Sequence, residues 1–505
     1  MKRFLPVIVI ISVIALYASY LTPRLKFGGD AVDYVRLADS LAHGEGYRVD
    51  GQFNSKWPPV TPLLHSLVIR TMGFSVAGFK FASMLCALTG LWLSYLLLKR
   101  HYDARLAFGA VLLAAVSFPM IYWLVDISSE APYFLFSITG LLLSEEALKR
   151  QRWPWVVGAG LAFGLAILSR TIGLALVIGL GLALIPKLVR GFRSDSLRLS
   201  LVAVIAVVIA GTWFVYSRIQ SGQSSVSAYG SYAFRGDIYN PESKSDLRTW
   251  FWRAKENAIG YTFIFGVPDS SLRLKNTVRL TPRGMASALI VTLALAGWAW
   301  HLRKGPQIAE WYLICYGGVL LIVAWYDIRY LVPILPFVFY YMLFALDRSF
   351  QWGANRVNRP TWGNPATTVA AILLILANSA VSIASPQAQR LRAKEYSGVA
   401  KDIYDSAMWI QSHHPHATIV ARNPGMVWFW TKMRVLSFPW YATPEQVLLF
   451  IENNQVDFVI LDADEYSGVT GKYLKPALES HPDRFEQVAA FGTTRVLRVR
   501  PRPSP

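Results

Sequence analysis

Apolar and polar positions fall along this chain in long blocks, and the apolar blocks are of membrane-spanning length. Runs of about 17–25 residues recur at 4–21, 74–98, 105–123, 130–145, 154–169, 171–187, 199–217, 284–301, 308–326, 329–346 and 366–384, predicting about eleven transmembrane helices. Lys2 and Arg3 precede the first run, which is longer than the apolar core of a usual signal peptide. The Leu21-Thr22-Pro23-Arg24 stretch after it is a poor small-residue cleavage site. That run is therefore read as an anchoring helix.

The longest polar interval near the start runs from Gly28 to His65. Within it Val32, Val35, Leu37, Ala38 and Leu41 recur at helical spacing, and Gly44 and Gly46 end the run, predicting an amphipathic interfacial helix from Asp30 to Leu41. Lys56-Trp57-Pro58-Pro59 then stiffens the backbone and starts a helix from Val60 to Ile69. After the last apolar run the pattern changes. From about Gln387 a small α/β module is expected: a helix over Glu395–Ser412, a strand over Ala417–Ala421, and a helix from Thr443-Pro444-Glu445 to near Asn454. A strand over Val456–Leu461, a helix over Lys472–Ser480 and a hairpin of Phe485–Phe491 with Thr494–Val499 follow. The domain boundary is placed at 385/386.

Composition sharpens the class. At 505 residues, with 54% hydrophobic and 16% charged residues and a mean hydropathy of +0.35, the chain is too apolar for a soluble protein of its size and reads as a polytopic α-helical membrane protein. The net charge of +19 does not point to nucleic acid, because the basic residues form short clusters between apolar runs, as cytoplasmic loops do. Those clusters (Lys2/Arg3, Lys99/Arg100/Arg105, Lys149/Arg150/Arg152, Lys187/Arg190/Arg193/Arg198, Arg303/Lys304, Arg348/Arg356/Arg359) occupy every second loop. The alternation predicts a cytoplasmic N-terminus. Loop 22–73, the turns bearing Asp126/Glu130, Arg170 and Asp327/Arg329, loop 218–282 and the C-terminal module are then outside. Cys86 and Cys315 both lie in apolar runs and imply neither a disulfide framework nor a thiolate metal site.

This partition gathers Asp30, Asp126, Glu130, Arg170, Asp327 and Arg329 at one membrane face. Each alone reads as an ordinary helix-end charge; acids and bases converging on one face of a bundle favour a site. Asp30 sits in the first turn of its helix, where the dipole favours an ionised carboxylate and burial beside lipid would oppose it, and Asp33 follows one turn later. Lys56 can present a point charge to an anion, or snorkel to the surface. Loop 218–282 is dense in rings (Tyr229, Tyr232, Phe234, Tyr239, Trp250 to Trp252, Tyr261, Phe263, Phe265), which serve as interface anchors before they serve as sugar platforms. Among Arg235, Arg248 and Arg253 no spacing selects a phosphate ligand. His413, His414 and His416 end a helix without a second ligand cluster, so no metal is expected.

One spanning helix, an outer loop opening with an acid and a nearby tyrosine (Asp30, Tyr34), a Lys/Pro-Pro stretch (Lys56 to Pro59) and many further spans together resemble the GT-C membrane glycosyltransferases, nearest to the protein O-mannosyltransferase and lipid A aminoarabinose transferase group. Ser129-Glu130-Ala131-Pro132-Tyr133 is similar to the acid-bearing start of that group's fourth helix, and Leu168-Ser169-Arg170-Thr171 to the basic turn after its fifth. Asp327-Ile328-Arg329-Tyr330-Leu331-Val332-Pro333 is similar to a late Glu/Arg-aromatic-Pro signature. In those families the loop motif is Asp-Glu-x-x-Tyr and its first acid is the base; here Ala31 stands at the glutamate. The resemblance implies an outward-facing, inverting glycosyltransferase (hexosyl- or pentosyltransferase) of a bacterial plasma membrane, with a polyprenyl-phosphate sugar donor and a lipid, glycan or protein acceptor. Asp30 is the expected general base, with Asp33 and Glu130 the further catalytic candidates. Lys56, Arg170 and Arg329 are assigned to the donor phosphate, and Tyr34, Asp126 and Asp327 to substrate. No cofactor is expected; a divalent metal is possible but not indicated. Two other classes compete: a lipid-linked saccharide transporter or flippase, disfavoured by the lack of an internal repeat, and a polymerase or ligase using a lipid-diphosphate donor.

Overall fold

A computed structural model describes residues 5–26, 30–49, 51–189, 191, 193–221, 235, 244–266, 281–323, 327–463 and 468–500. The chain forms two compact units, Met1–Leu21 with Tyr34–Gln389 and Thr22–Asp33 with Arg390–Pro505. The division differs from the expected one. The second unit begins at Arg390, and residues 22–33, expected in the membrane unit's first outer loop, pack with it instead.

Helices occupy all eleven expected positions. Among the described residues six are long and apolar enough to cross a bilayer: Val76–His101, Thr171–Val189, Ser194–Ser221, Pro282–Leu302, Ile328–Arg356 and Pro360–Ala384. A seventh span arises if Ala104–Ala115 and Phe118–Leu124 count as one. The run at 105–123, expected as one span, is bent by 62° between these two pieces. Its cause is local. Pro119 has no N–H to donate to the preceding turn and so suits the first turn of a new helix, and Ser117 between the pieces is extended (φ −74°, ψ 135°). Val7–Ala18, Trp153–Ser169 and Ile308–Ile322 are shorter apolar helices.

Small residues let the helices of the membrane unit approach closely, as they must where lipid tails compete with side chains for apolar contact. Gly160 and Gly164, one turn apart on Trp153–Ser169, face Ile205 and Ile209; a Cβ at either glycine would lie within 2.6 and 2.9 Å of those side chains. Gly297 is tighter still, with the Tyr341 carbonyl oxygen 2.0 Å from where its Cβ would be. At the far end of the helix Glu130–Arg150, ion pairs tie neighbouring helix ends: Arg100 to Glu146 (2.7 Å), His101 to Glu145 (2.8 Å) and Arg105 to Asp347 (2.9 Å). The first loop adds the helix Ala31–Ala42, a two-stranded antiparallel ribbon of β1 (Arg48–Val49) and β2 (Gln52–Phe53), and the helix Val60–Met72. Of the long loop, Leu247–Thr262 is helical. Its buried Asn257 donates to the carbonyls of Leu320, Leu321 and Val323, satisfying the orphan end of Ile308–Ile322. Tyr229, Tyr232, Phe234 and Tyr239 lie outside the described residues.

The second unit is built on a five-stranded sheet. Its strands are β3 (Ile419–Ala421), β4 (Val435–Leu436), β5 (Phe458–Leu461), β6 (Phe485–Phe491) and β7 (Thr494–Val499), in the order β4-β3-β5-β7-β6. The first three run parallel; β7 pairs antiparallel to both β5 and β6. Strand alternation feeds two cores. Ile419, Ala421, Phe458 and Ile460 pack against the helix Val399–His413, while Val420 and Val459 pack with Pro444–Asn453 and Lys475–Glu479. The expected helix over Lys472–Ser480 is a π-turn, Thr470–Leu474, followed by the short helix Lys475–Glu479, with Pro476 interrupting the ladder. A helix Pro424–Thr431 and strand β4 were not anticipated. In this unit Leu25 is fully buried, and its carbonyl accepts from the Tyr396 hydroxyl (3.0 Å). Arg24 donates to the Glu395 carbonyl (2.6 Å) and lies over the Tyr396 ring.

Candidate active site in the membrane unit

Three chain segments converge at one end of the bundle. Glu130 opens the helix Glu130–Arg150, where free N–H groups and the dipole favour a carboxylate. Arg170 occupies the turn between Trp153–Ser169 and Thr171–Gly173; its N–H donates to the Ala166 carbonyl and its own carbonyl accepts from Gly173, both at 2.9 Å. Arg329 lies in the turn Ile328–Tyr330, which Asp327 initiates by accepting from the Arg329 N–H at 2.9 Å.

Their side chains meet. Glu130 is 3% exposed, and its carboxylate accepts from Nη1 of Arg170, which also donates to the Ser129 hydroxyl at 3.2 Å. Burial works against the charge on Arg170, and the adjoining Glu130 carboxylate reverses this, holding the guanidinium above its ordinary pKa. The Tyr330 ring lies against both cations, 5.4 Å from the Arg170 guanidinium carbon and 5.0 Å from that of Arg329. Arg329 also donates to the Tyr330 hydroxyl at 3.0 Å, lies over the Trp123 ring, and keeps Nε 3.9 Å from Asp327. Behind this layer the Tyr316 hydroxyl donates to the Tyr330 carbonyl at 2.7 Å, and the fully buried Tyr133 stacks on Tyr316. Two half-buried guanidiniums, each paired with a carboxylate and lying against an aromatic ring, are rigid donors for an oxyanion. Arg170's hydrogen bonds to Glu130 and Ser129 both leave from Nη1, one corner of a five-donor fork.

Sequence reasoning selected Glu130, Arg170, Asp327 and Arg329, and the fold brings these four together. Asp126 is half-buried in the turn just before Glu130. Lys56 makes its contacts within its own turn: Nζ lies 4.3 Å from the Trp57 ring, which packs on Tyr34 at 5.3 Å, while the Tyr47 hydroxyl donates to the Trp57 carbonyl at 2.9 Å. Asp30 directly precedes the helix Ala31–Ala42, and Asp33 lies in its first turn; both belong to the segment that packs with the second unit. Trp123 and Tyr316 were missed, and Tyr133 entered only as the end of the Ser129–Tyr133 motif, with no role. Tyr312 and Tyr316 do share one helix face at i, i+4 spacing, a signal that was available, whereas Trp123 at the end of an apolar run looks like any interface anchor. In the second unit His413 stacks on Trp409 and His414 on Phe458. Among the described residues no group of three or more His, Cys, Asp or Glu is arranged to hold a metal ion.

Residues 56–216 match the family described as Dolichyl-phosphate-mannose-protein mannosyltransferase. No curated protein matches the chain by sequence. The fold is similar to that of ArnT from Cupriavidus metallidurans, solved in the apo state and bound to undecaprenyl phosphate. The two give TM-scores of 0.63 and 0.61 at 15% identity, with 98% of each chain covered. It is also similar to the archaeal oligosaccharyltransferase AglB from Archaeoglobus fulgidus, solved with an inhibitory peptide and a dolichol-phosphate. That match has a TM-score of 0.61 at 13% identity over 99% of this chain and 75% of that one. About a third of the chain thus matches that family model, and nearly all of it shares its fold with ArnT and AglB.

Proposed function

We propose that the protein transfers a sugar from a polyprenyl-phosphate donor to an acceptor hydroxyl at the extracytoplasmic face of a bacterial plasma membrane, with inversion at the anomeric carbon. The observation that carries this reading is the Glu130–Arg170 pair with Arg329 against the shared Tyr330 ring: two preorganised cations at one end of the bundle suit a leaving phosphate. Soluble nucleotide sugars are confined to the cytoplasm, so an outward-facing transferase needs a donor anchored in lipid. ArnT holding undecaprenyl phosphate and AglB holding a dolichol-phosphate support that class of donor.

In this reading Asp30 accepts the proton of the acceptor hydroxyl while its oxygen attacks the anomeric carbon. The bond from that carbon to the phosphate oxygen breaks, and the electron pair leaves with the lipid phosphate. Arg170 and Arg329, with Lys56, hold the charge that develops there. Glu130 does not exchange protons in this scheme; it orients Arg170. Tyr34, Asp126 and Asp327 line the approach of substrate.

The test is transfer by the purified full chain from radiolabelled polyprenyl-phosphate sugars. Asp30→Asn, nearly isosteric but a poor base, should lower turnover about 10²–10⁴-fold with donor KM little changed. Asp33→Asn should do much less. The opposite ranking would move the base three residues along the helix, and transfer from lipid-diphosphate sugars alone would replace the donor class.

A further inference from the structure

At the opposite end of the bundle from the Glu130–Arg170 pair lies a second polar site that sugar transfer does not use. A cavity of about 270 Å3 opens among the ends of five helices of the membrane unit, lined by His101, Arg105, His301, Lys304 and Arg348, with Asn364 at its edge. Its charges can be balanced. The two acids in its wall, Asp103 and Asp347, are both engaged by Arg105, at 3.8 and 2.9 Å. Arg105 also donates to the Asn364 side chain at 3.1 Å, and Thr367 donates to Asp347 at 2.9 Å, so this corner is internally satisfied. Lys304 and Arg348 are exposed, and among the described residues neither reaches a carboxylate at ion-pair distance. Among the lining residues three fixed cations stand against two carboxylates, while Glu145 and Glu310 behind the wall are taken up by His101 at 2.8 Å and His301 at 3.1 Å, leaving Lys304 and Arg348 as the cations that face the opening.

The depth of the cavity narrows its occupant. Trp300, Trp352 and Trp362 adjoin or nearly adjoin its lining residues in sequence, are 50%, 63% and 58% exposed, and each lies beneath a guanidinium, of Arg303, Arg356 and Arg359 respectively. Exposed tryptophans paired with arginines mark the headgroup layer of a bilayer. From that level Val369, Ile372, Leu373 and Leu376 present an exposed apolar face along Gly363–Ala384. A single negative charge at headgroup depth, beside a helix that starts in the cavity wall and exposes an apolar face further along, describes the phosphodiester of an anionic glycerophospholipid.

We infer that this cavity is a binding site for an anionic glycerophospholipid, with its phosphodiester between Lys304 and Arg348 and an acyl chain along the face of Gly363–Ala384. The experiment is native mass spectrometry of the full chain in detergent, titrated with phosphatidylglycerol, phosphatidylcholine and the deacylated headgroup glycerophosphoglycerol. The wild type should retain phosphatidylglycerol about tenfold better than phosphatidylcholine, which offsets its phosphate with its own cation. The deacylated headgroup should not displace it at equal concentration. The pair Lys304→Gln with Arg348→Gln should erase the preference, and Lys304→Arg with Arg348→Lys should restore it, separating lost charge from lost structure. Equal retention of both lipids by the wild type, an unchanged preference in the glutamine pair, or displacement by the soluble headgroup would each overturn the proposal.

Discussion

Arg170 illustrates how a single side chain acquires its role from its neighbours. A guanidinium in a turn between two apolar helices is costly to bury, and here Glu130, itself 3% exposed, makes that burial tolerable. Removing one partner of such a pair is worse than removing both, because the survivor keeps its charge without its counterion. Glu130→Gln and Arg170→Gln should therefore each destabilise the purified protein by about 3–5 kcal/mol, and the double variant by clearly less than their sum. Thermal unfolding in detergent reads this directly; simple additivity would show that the pair is uncoupled. Arg170→Lys keeps the charge but loses the planar fork, so it should unfold near the wild-type temperature while raising donor KM about tenfold. The four residues of this cluster were legible as charges at helix ends, since hydropathy marks where helices stop. Their pairing was not, because Glu130 and Arg170 are 40 positions apart and Tyr330 reaches both cations only after the bundle closes.

At the level of elements, apolar run length located the membrane helices, while helix geometry depended on particular small residues and prolines. The bend at Ser117 follows from Pro119 and was open to a closer reading. Which glycines are structural was not readable from the chain. Gly297 and Gly317 sit in similar apolar helices, yet a Cβ at Gly297 would lie 2.0 Å from the Tyr341 carbonyl, whereas none of the described atoms lies within 4 Å of one at Gly317. Gly297→Ala should force Pro282–Leu302 away from Leu335–Arg356 and cost about 1–3 kcal/mol. Gly317→Ala should be neutral or stabilise by up to about 1 kcal/mol, as alanine does in an open helix interior. Equal unfolding temperatures for the two variants would refute the close helix approach at Gly297.

For the whole molecule the decisive quantity is sidedness. Basic clusters in every second loop predict that a reporter active only outside the cytoplasm is active when fused after Pro505 and silent when fused after Arg150. The reverse pattern would place the Glu130–Arg170 pair on the side of soluble nucleotide sugars and remove the reason for a lipid-linked donor. The same orientation would put the Lys304–Arg348 cavity in the leaflet whose lipids are anionic at the cytoplasmic surface.

By itself the sequence determined the class of the molecule, the positions of its membrane helices, the terminal hairpin of its sheet unit, and which charged residues stand at helix ends. Each of these is written in local periodicity and in the cost of placing charge in hydrocarbon, which act residue by residue. Tertiary structure alone decided that Arg170 is held by Glu130 and that Tyr330 joins it to Arg329. It also decided that Arg24 and Leu25 are held by Tyr396 and its neighbours some 370 positions away. Such choices depend on which distant surfaces close-pack best, a property of the folded chain as a whole that no window of the sequence contains.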